Sequence, residues 1–347
     1  MSFQRFNRAE DIIENQRTIV TSGMWSGGST KLEANFFTLA TQGASTASFV
    51  EVYNKATSDA SSEVQFAAGY AHIDGKGTVG NTTDTNDGNR ETKAMYSQFR
   101  NLLLAPNTTK FTFTGAPAAS SSGYNEFYFI SVQRSRMREK MNPGNWELRI
   151  KGSGNAAIKL IDDSSGSAAT VDQGGRVFNV VSGSIESGTT IHKSAATETP
   201  YGAPGLFYPD LGIILINPNW LAGANSGASA ELSGSTQANT FTNTAQKFVT
   251  AISGGQYFQA RREEEISSTS YFCRVNNKRF NFSTNPTFFT SSDGSLTQGT
   301  FFKDPQTFIT QVGLYNEENE LLAVAKLSQP LLNSYAREAI IKVKLDF

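Results

Sequence analysis

Residues 307–347 read TFITQVGLYNEENELLAVAKLSQPLLNSYAREAIIKVKLDF and close a C-terminal stretch that begins at Ser267 with SSTSYFCRV. Hydrophobic residues recur in this stretch at every second position, or in short apolar runs bounded by turn residues. This pattern predicts β-strands joined by hairpins. In the last run, IKVKLDF, the apolar residues at 341, 343, 345 and 347 share one face and the charged residues share the other. We therefore expect the final strand to be tied into a sheet.

Composition extends this expectation to the whole chain. At 347 residues the chain can bury a substantial core, in two domains or in one large β domain. It contains 25 phenylalanines, and Gly, Ser, Thr and Asn fill the intervals between apolar runs, which favours strands and turns over helices. Charged residues make up 18% and the net charge is -1, so no global field recruits nucleic acid or an acidic membrane.

The single cysteine, Cys273, excludes a disulfide within one chain and any cysteine-based metal cluster. The first residues, MSFQRFNR, lack the apolar core of a signal peptide, and no run approaches the length of a membrane-spanning segment. We expect a protein that is made in the cytoplasm and kept or assembled there.

Upstream, one helix and a series of strands are expected. The helix covers 92–104, with Thr92 as N-cap, Pro106 beyond its end and an apolar stripe formed by Met95, Phe99, Leu102 and Leu103. The expected strands are 49–53, 64–70, 111–113, 127–132, 146–150, 156–161 and 177–181, together with a buried central strand at 212–218 that Asn217-Pro218 ends.

The predicted fold class is therefore mainly β, with antiparallel sheets or a sandwich, one or two short helices, long polar loops and two modules. Residues 1–45 form an N-terminal arm and first strand, and 46–221 form a β domain. Residues 222–246 form a low-complexity linker or insertion, and 247–347 form a C-terminal β module. A short helix at 248–262 leads into that module. The amphipathic residues 1–20 pack on their own domain or reach onto a neighbouring subunit.

Two segments are expected to be exposed loops. Residues 75–90 are polar and Gly-rich, and 222–245 contain Ala, Ser, Gly, Thr and Asn with few large apolar residues. Long loops of this kind are functional or disordered. Neighbouring subunits would order them, or they would be disordered in the free protein.

Few residues point to catalysis. His72 and His192 are the two histidines, and neither accompanies a Gly-x-Ser-x-Gly elbow, so we assign both to structural or surface roles. The segment GYAHIDGKGT lacks the spacing of a phosphate-binding loop, and DTNDGNRE (84–91) lacks the order of an EF-hand. A loose ion site in that loop stays open beside a solvated turn. The carboxylates considered for glycoside hydrolysis have no supporting pattern; they are Asp74, Asp162, Asp163 and Glu263.

A basic set is the one candidate docking site. Arg134, Arg136, Arg138 and Lys140 alternate along what reads as a strand or its exit, so period-two spacing places all four on one face. The set would form a solvated face, a face paired with carboxylates, a docking surface for an acidic partner subunit, or a nucleic-acid contact. The last option is the weakest because no aromatic stacking residues are interleaved. The adjacent charge reversal Arg261-Arg262-Glu263-Glu264-Glu265 suits a subunit interface or a solvated helix end.

Several stretches resemble virion structural proteins of T4-like tailed phages, especially those that infect cyanobacteria. They are VQFAAGYAHIDGKG (64–77), TKAMYSQFRNLLL (92–104), RSRMREKMNPGNWELRIKG (134–152), GLFYPDLGIILINP (205–218), NFSTNPTF (281–288), FITQVGLYNEENELLAVAKLSQPL (308–331) and IKVKLDF (341–347). The closing order of strands is also similar to the end of the T4-type baseplate wedge subunit that forms a dimer in each wedge. The resemblance runs from about residue 45 to the end, apart from the low-complexity loops.

This resemblance implies a non-enzymatic structural component of a contractile tail. It would be a baseplate wedge protein, assembled in the host cytoplasm, without cofactors, and joined to itself as a dimer and to other tail proteins. Two alternatives remain: a receptor- or carbohydrate-binding tail protein, and another virion location such as neck or capsid decoration. An enzyme is the least favoured class.

Overall fold

The computed structural model describes residues 4–33, 49–56, 58–77, 91–114, 123–151, 157–197, 202–222, 244–290 and 293–347. It confirms a mainly β fold with antiparallel sheets and short helices. The strands are β1 (Ile12–Gly23), β2 (Lys31–Glu33), β3 (Phe49–Tyr53), β4 (Val64–His72), β5 (Glu126–Val132), β6 (Lys140–Lys151), β7 (Ala157–Asp162), β8 (Thr170–Asp172), β9 (Gly175–Glu186), β10 (Thr189–His192), β11 (Gly205–Tyr208), β12 (Ile213–Ile216), β13 (Tyr257–Val275), β14 (Thr307–Tyr315), β15 (Leu321–Asn333) and β16 (Ala339–Asp346). The helices are α1 (Arg8–Asp11), α2 (Glu91–Leu103), α3 (Arg134–Met137), α4 (Pro218–Ala222) and α5 (Thr244–Gly255).

The chain forms two compact units. Val20–Glu264 form the central unit, and Met1–Ile19 together with Glu265–Phe347 form the terminal unit. The terminal unit thus begins at Glu265, whereas the module predicted from sequence begins at 247. The difference arises because Phe248, Phe258 and Ala260 are fully buried in the core of the central unit. The predicted loops at 75–90 and 222–245 lie mostly outside the described residues.

The central unit is built on one antiparallel sheet, in the order β13-β6-β7-β9-β11-β12-β5-β4-β3. Strand β12 lies between β11 and β5, and all four of its residues are buried, which confirms the central strand predicted at 212–218. Asn217 ends this strand and starts α4: its side-chain Oδ1 accepts a hydrogen bond from the Asn219 N–H at 3.1 Å. Pro218 takes the first helical position, where a missing N–H is tolerated.

A helix packs on each face of this sheet because β5 alternates large aromatic residues between its two sides. Tyr128 faces α5 and stacks on Phe248, with ring centroids 4.5 Å apart. Phe127 and Phe129 face α2, where the Phe99 ring lies 4.7 Å from that of Phe129. Helix α2 matches the predicted helix to within one residue at each end.

Three local expectations were wrong. The helix expected at 248–262 ends at Gly255, and strand β13 begins at Tyr257, because the helix end abuts β6 so closely that a Cβ on Gly255 would lie 2.0 Å from the Arg149 carbonyl oxygen. The apolar stripe of α2 is also shifted, since Leu102 is 45% exposed and Tyr96 is buried in its place. The strand expected at 111–113 is reduced to one bridge between Phe111 and Tyr124.

The terminal unit confirms the strand pattern of the C-terminal stretch. Strand β16 pairs antiparallel with the second half of β13, from Ser268 opposite Asp346 to Val275 opposite Ala339. Its Ile341 and Val343 are buried as the alternation predicts, whereas Phe347 is 77% exposed.

Strands β14 and β15 form a separate two-stranded sheet, and its inward side chains share a core with β13 and β16. The N-terminal residues also pack on this unit: the ring of Phe6 lies 5.7 Å from that of Tyr271. This agrees with the first of the two arrangements considered for residues 1–20.

Candidate functional site

The predicted basic set does not lie along one strand face. Arg134 and Arg136 belong to the single turn of α3, and Arg138 ends that turn with a φ of 60°, before β6 starts at Lys140. Period-two spacing therefore does not describe these side chains, and the expectation of a straight basic ridge was wrong. The reason is local: a helical turn and one left-handed residue replace the extended backbone that the alternation suggested.

Three of the four basic residues pair with carboxylates of the same unit. The guanidinium of Arg136 lies 2.9 Å from Glu63, Arg138 lies 3.1 Å from Glu264, and the Lys140 ammonium lies 3.1 Å from Glu263. Arg134 is exposed. The set thus joins separate segments of the central unit, which matches the carboxylate-paired interpretation. Docking of an acidic partner on it stays a prediction, with Arg134 and the half-exposed Arg138 as its outward residues.

Glu263 is the most enclosed partner of the set. Its side chain is 8% exposed, and besides Lys140 it accepts a hydrogen bond from the Asn142 side-chain amide. Sequence reasoning could not find this pairing, because Lys140 and Glu263 are far apart in the chain and meet only through the pairing of β6 with β13. A carboxylate engaged in this way holds two strands together.

The two adjacent aspartates considered for hydrolysis are also engaged. Asp162 accepts hydrogen bonds from the backbone N–H groups of Gly144 (2.8 Å) and Ser164 (3.0 Å). Burial raises the pKa of Asp162, although these hydrogen bonds oppose the increase. Asp163 accepts hydrogen bonds from the Asn179 backbone N–H and side-chain amide, at 3.0 and 2.8 Å. Both carboxylates therefore fix the loop after β7, while Asp74 is exposed on a turn.

An exposed serine–histidine pair lies at the same loop. The Nε2 atom of His192 is 2.9 Å from the Ser165 hydroxyl, and Nδ1 is 2.7 Å from the backbone carbonyl oxygen of Lys193. The backbone N–H groups of Gly166 and Ser167 are bonded to the Asp163 carbonyl oxygen, so they do not point at an incoming oxyanion. Among the residues that the structure describes, the pair therefore shows neither the carboxylate on Nδ1 nor the oxyanion donors of a hydrolytic triad. The other histidine, His72, is buried, and its Nδ1 accepts a hydrogen bond from the Asp74 N–H.

No cluster of three or more metal-ligating side chains occurs in the described ranges. A groove of about 600 Å³ lies on the terminal unit. Its walls include Ile13, Phe272 and Ile340, and its cation, Arg274, lies 2.7 Å from Asp11 and 3.1 Å from Glu10. The groove is therefore lined by both apolar and charged side chains, and its one arginine is already paired with carboxylates.

The strongest surface feature is apolar. Among the residues that the structure describes, twelve of the sixteen largely exposed large apolar side chains belong to the terminal unit, although it holds less than a third of the chain. They are Ile13, Ile19, Phe282, Phe302, Phe308, Tyr315, Leu321, Leu322, Val324, Tyr335, Ile340 and Phe347. Exposed apolar side chains are thus concentrated on the terminal unit.

Comparison with known proteins identified nothing: no family model, no curated protein and no solved structure matches this chain. Within the described residues, no helix is long and apolar enough to cross a membrane.

Proposed function

We propose that this protein is a non-enzymatic structural subunit of a phage contractile tail, and that it serves as a baseplate wedge protein. The proposal starts from the resemblance of the seven stretches quoted above to virion proteins of T4-like phages. The structural observation that carries it is the concentration of exposed apolar side chains on the terminal unit. Permanent subunit interfaces are large and core-like, and such surfaces need apolar side chains that the isolated chain leaves uncovered.

A non-catalytic role is supported by how the polar groups are used. Asp162, Asp163 and Glu263 bond to backbone, amide or ammonium groups of the fold, as described above. The resemblance further implies a homodimer, and symmetric contacts would then bury the same surface of both copies.

The test is the mass of the purified chain in solution over a concentration series, followed by sedimentation with purified tails of the virus that encodes it. We expect a stable dimer, and we expect the chain to sediment with tails. A chain that stays monomeric but enters tails would remove the dimer and retain the structural role. A chain that is absent from tails and particles would contradict the proposal.

One observation favours the alternative of a receptor-binding tail protein. Phenylalanines cluster between residues 282 and 302: the rings of Phe288 and Phe301 stack at 5.1 Å, and Phe282 lies 5.7 Å from Phe288. Phe282 and Phe302 are 64% and 81% exposed. A closed trimer in solution, together with binding to host-cell surface sugars that Phe282→Ser abolishes, would favour this function over assembly.

A further inference from the structure

The hairpin of β14 and β15 carries apolar residues on both of its faces. The inward face, which includes Val312, Leu314, Ala323 and Ala325, packs in the core of the terminal unit. Opposite residues of an antiparallel pair share a face, so the Gly313–Val324 and Tyr315–Leu321 pairs lie on the outward side. A two-stranded sheet needs packing on a face to be stable, and the inward face supplies that packing here.

Tyr315, Leu321 and Val324 lie on the outward side around Gly313, and Leu322 is the exposed residue at the register shift beside Leu321. We call these four side chains the hairpin patch. These four side chains are 37%, 52%, 68% and 51% exposed. A Cβ on Gly313 would lie 2.9 Å from the Tyr315 ring and 3.2 Å from Leu321, so both side chains close over the glycine. The next outward pair, Gln311 with Lys326, is polar, so the apolar surface is confined to the turn end of the hairpin.

The turn beyond the patch is acidic and is closed by its own hydrogen bonds. Glu317, Glu318 and Glu320 are exposed, and none of them forms an ion pair with a residue that the structure describes. The turn is held by the Asn316 N–H bonded to the Glu320 carbonyl oxygen at 3.0 Å and by the Glu320 N–H bonded to the Asn316 side-chain oxygen at 2.7 Å. A preformed surface loses little conformational entropy when it binds.

From this arrangement we infer that the hairpin patch docks into an apolar groove rimmed with lysine or arginine on a different tail subunit. The inference rests on the proposed function and names the chemistry of one partner. Leu322 and Val324 supply the apolar contact, and the three carboxylates beside them pair with the basic rim. Complementary charge around an apolar centre gives orientation and partner choice.

Charge decides between this partner and a second copy of the same chain. A symmetric contact centred on the patch would bring three carboxylates from each copy into one interface. The hairpin offers a single lysine near the patch, Lys326, to neutralise them. Like charges in an interface are repulsive, so self-association through this face is disfavoured.

The test places a photo-crosslinking benzoylphenylalanine at Leu322 of the full chain, and at Val171 as a control. Val171 is 78% exposed but lies on the central unit. The chains are incorporated into tails, irradiated and mapped by mass spectrometry. We expect position 322 to crosslink to another tail protein, within a segment that contains lysine or arginine. Crosslinks to a second copy, to a segment without basic residues, or equally from both positions would overturn the inference.

A charge reversal then tests the rim. With the crosslinked tail protein purified, Glu318→Lys should weaken its binding to the full chain at least tenfold, and Asp304→Lys should leave binding unchanged. Asp304 is an exposed carboxylate of the same unit, so both variants change the charge equally. Equal effects of Glu318→Lys and Asp304→Lys on binding would overturn the inference. If neither labelled chain enters tails, the proposed function itself fails. A crosslink at the wrong place, by contrast, overturns only the docking inference and leaves the proposed function standing.

Discussion

The hydroxyl group of Tyr70 on β4 donates a hydrogen bond to the partly buried carboxyl group of Glu126 on the adjacent strand β5. Burial raises the pKa of Glu126 from its usual 4.5 to about 7, and it outweighs the hydrogen bond from Tyr70, which lowers the pKa. Burial also raises the pKa of Tyr70 well above its usual value. The Glu126 carboxyl group therefore changes its protonation state near neutral pH.

This pair predicts how stability depends on pH. Between pH 4.5 and 7 the folded state keeps the Glu126 proton while the unfolded state loses it, so the free energy of unfolding falls as the pH rises and levels off above 7. The shift corresponds to about 3 kcal/mol. Urea unfolding at several pH values should show this decrease, and Glu126→Gln should remove it. An unchanged slope in that variant would contradict the assignment.

A second prediction distinguishes the basic residues that stabilise the fold through ion pairs from those that are available to bind a partner. Lys140→Ala leaves the buried Glu263 carboxylate without its ammonium partner, so we expect the central unit to lose about 3 kcal/mol of stability. Arg134→Ala removes an exposed residue and should change stability by less than about 0.5 kcal/mol. Urea unfolding of both variants measures this difference. If Arg134→Ala nevertheless weakens incorporation into tails, the docking interpretation of this set gains support; equal stabilities of the two variants would contradict the pairing.

A third prediction uses two glycines. Gly205 on β11 lies so close to β12 that a Cβ would be 1.9 Å from the Leu215 carbonyl oxygen. We therefore expect Gly205→Ala to force central strands apart and to destabilise the chain by about 3 kcal/mol. Gly299 has open space around its Cα, so Gly299→Ala is the matched control and should be nearly neutral. Thermal unfolding compares the two variants. Similar melting temperatures would show that β11 and β12 can shift to accept a Cβ at position 205, and would contradict the prediction.

The sequence predicted those parts of the fold where one element carries its own pattern. The alternation from Ile341 to Leu345 specifies a half-buried strand, and the unbroken apolar run around Ile214 specifies a strand covered on both faces. The boundary between α5 and β13 could not be predicted, because the close approach of Gly255 to Arg149 joins residues distant in sequence.

The placement of the basic set on one strand face was wrong for a related reason. Arg138 and its partner Glu264 are 126 residues apart, so the sequence around Arg138 does not indicate that ion pair. It also does not indicate the positive φ of Arg138, which turns the chain between α3 and β6. The hairpin patch was hidden as well, since a strand with apolar residues on both faces reads as a buried strand. Only its exposure, seen in the fold, distinguishes a docking surface from a core.

The last prediction concerns Arg274, which ties the N-terminal residues to β13. Its guanidinium lies 2.7 Å from the buried Asp11 carboxylate and 3.1 Å from Glu10. Asp11 also accepts a hydrogen bond from the Asn7 N–H at 2.8 Å, so its charge helps to hold α1 in place. Arg274→Gln should destabilise the terminal unit by about 2 kcal/mol, because it removes a charged partner from an enclosed carboxylate.

The matched control for Arg274 is Arg8→Gln, which breaks the exposed pair of Arg8 with Glu14 at 3.1 Å and should cost less than about 0.5 kcal/mol. Hydrogen exchange at the amides of β16, and of β13 from Glu265 onward, measures the stability of the terminal unit directly. We expect Arg274→Gln to speed exchange there and to leave β5 and β12 unchanged, since those strands belong to the central unit. Equal effects of the two variants on exchange would mean that Asp11 does not need its guanidinium partner.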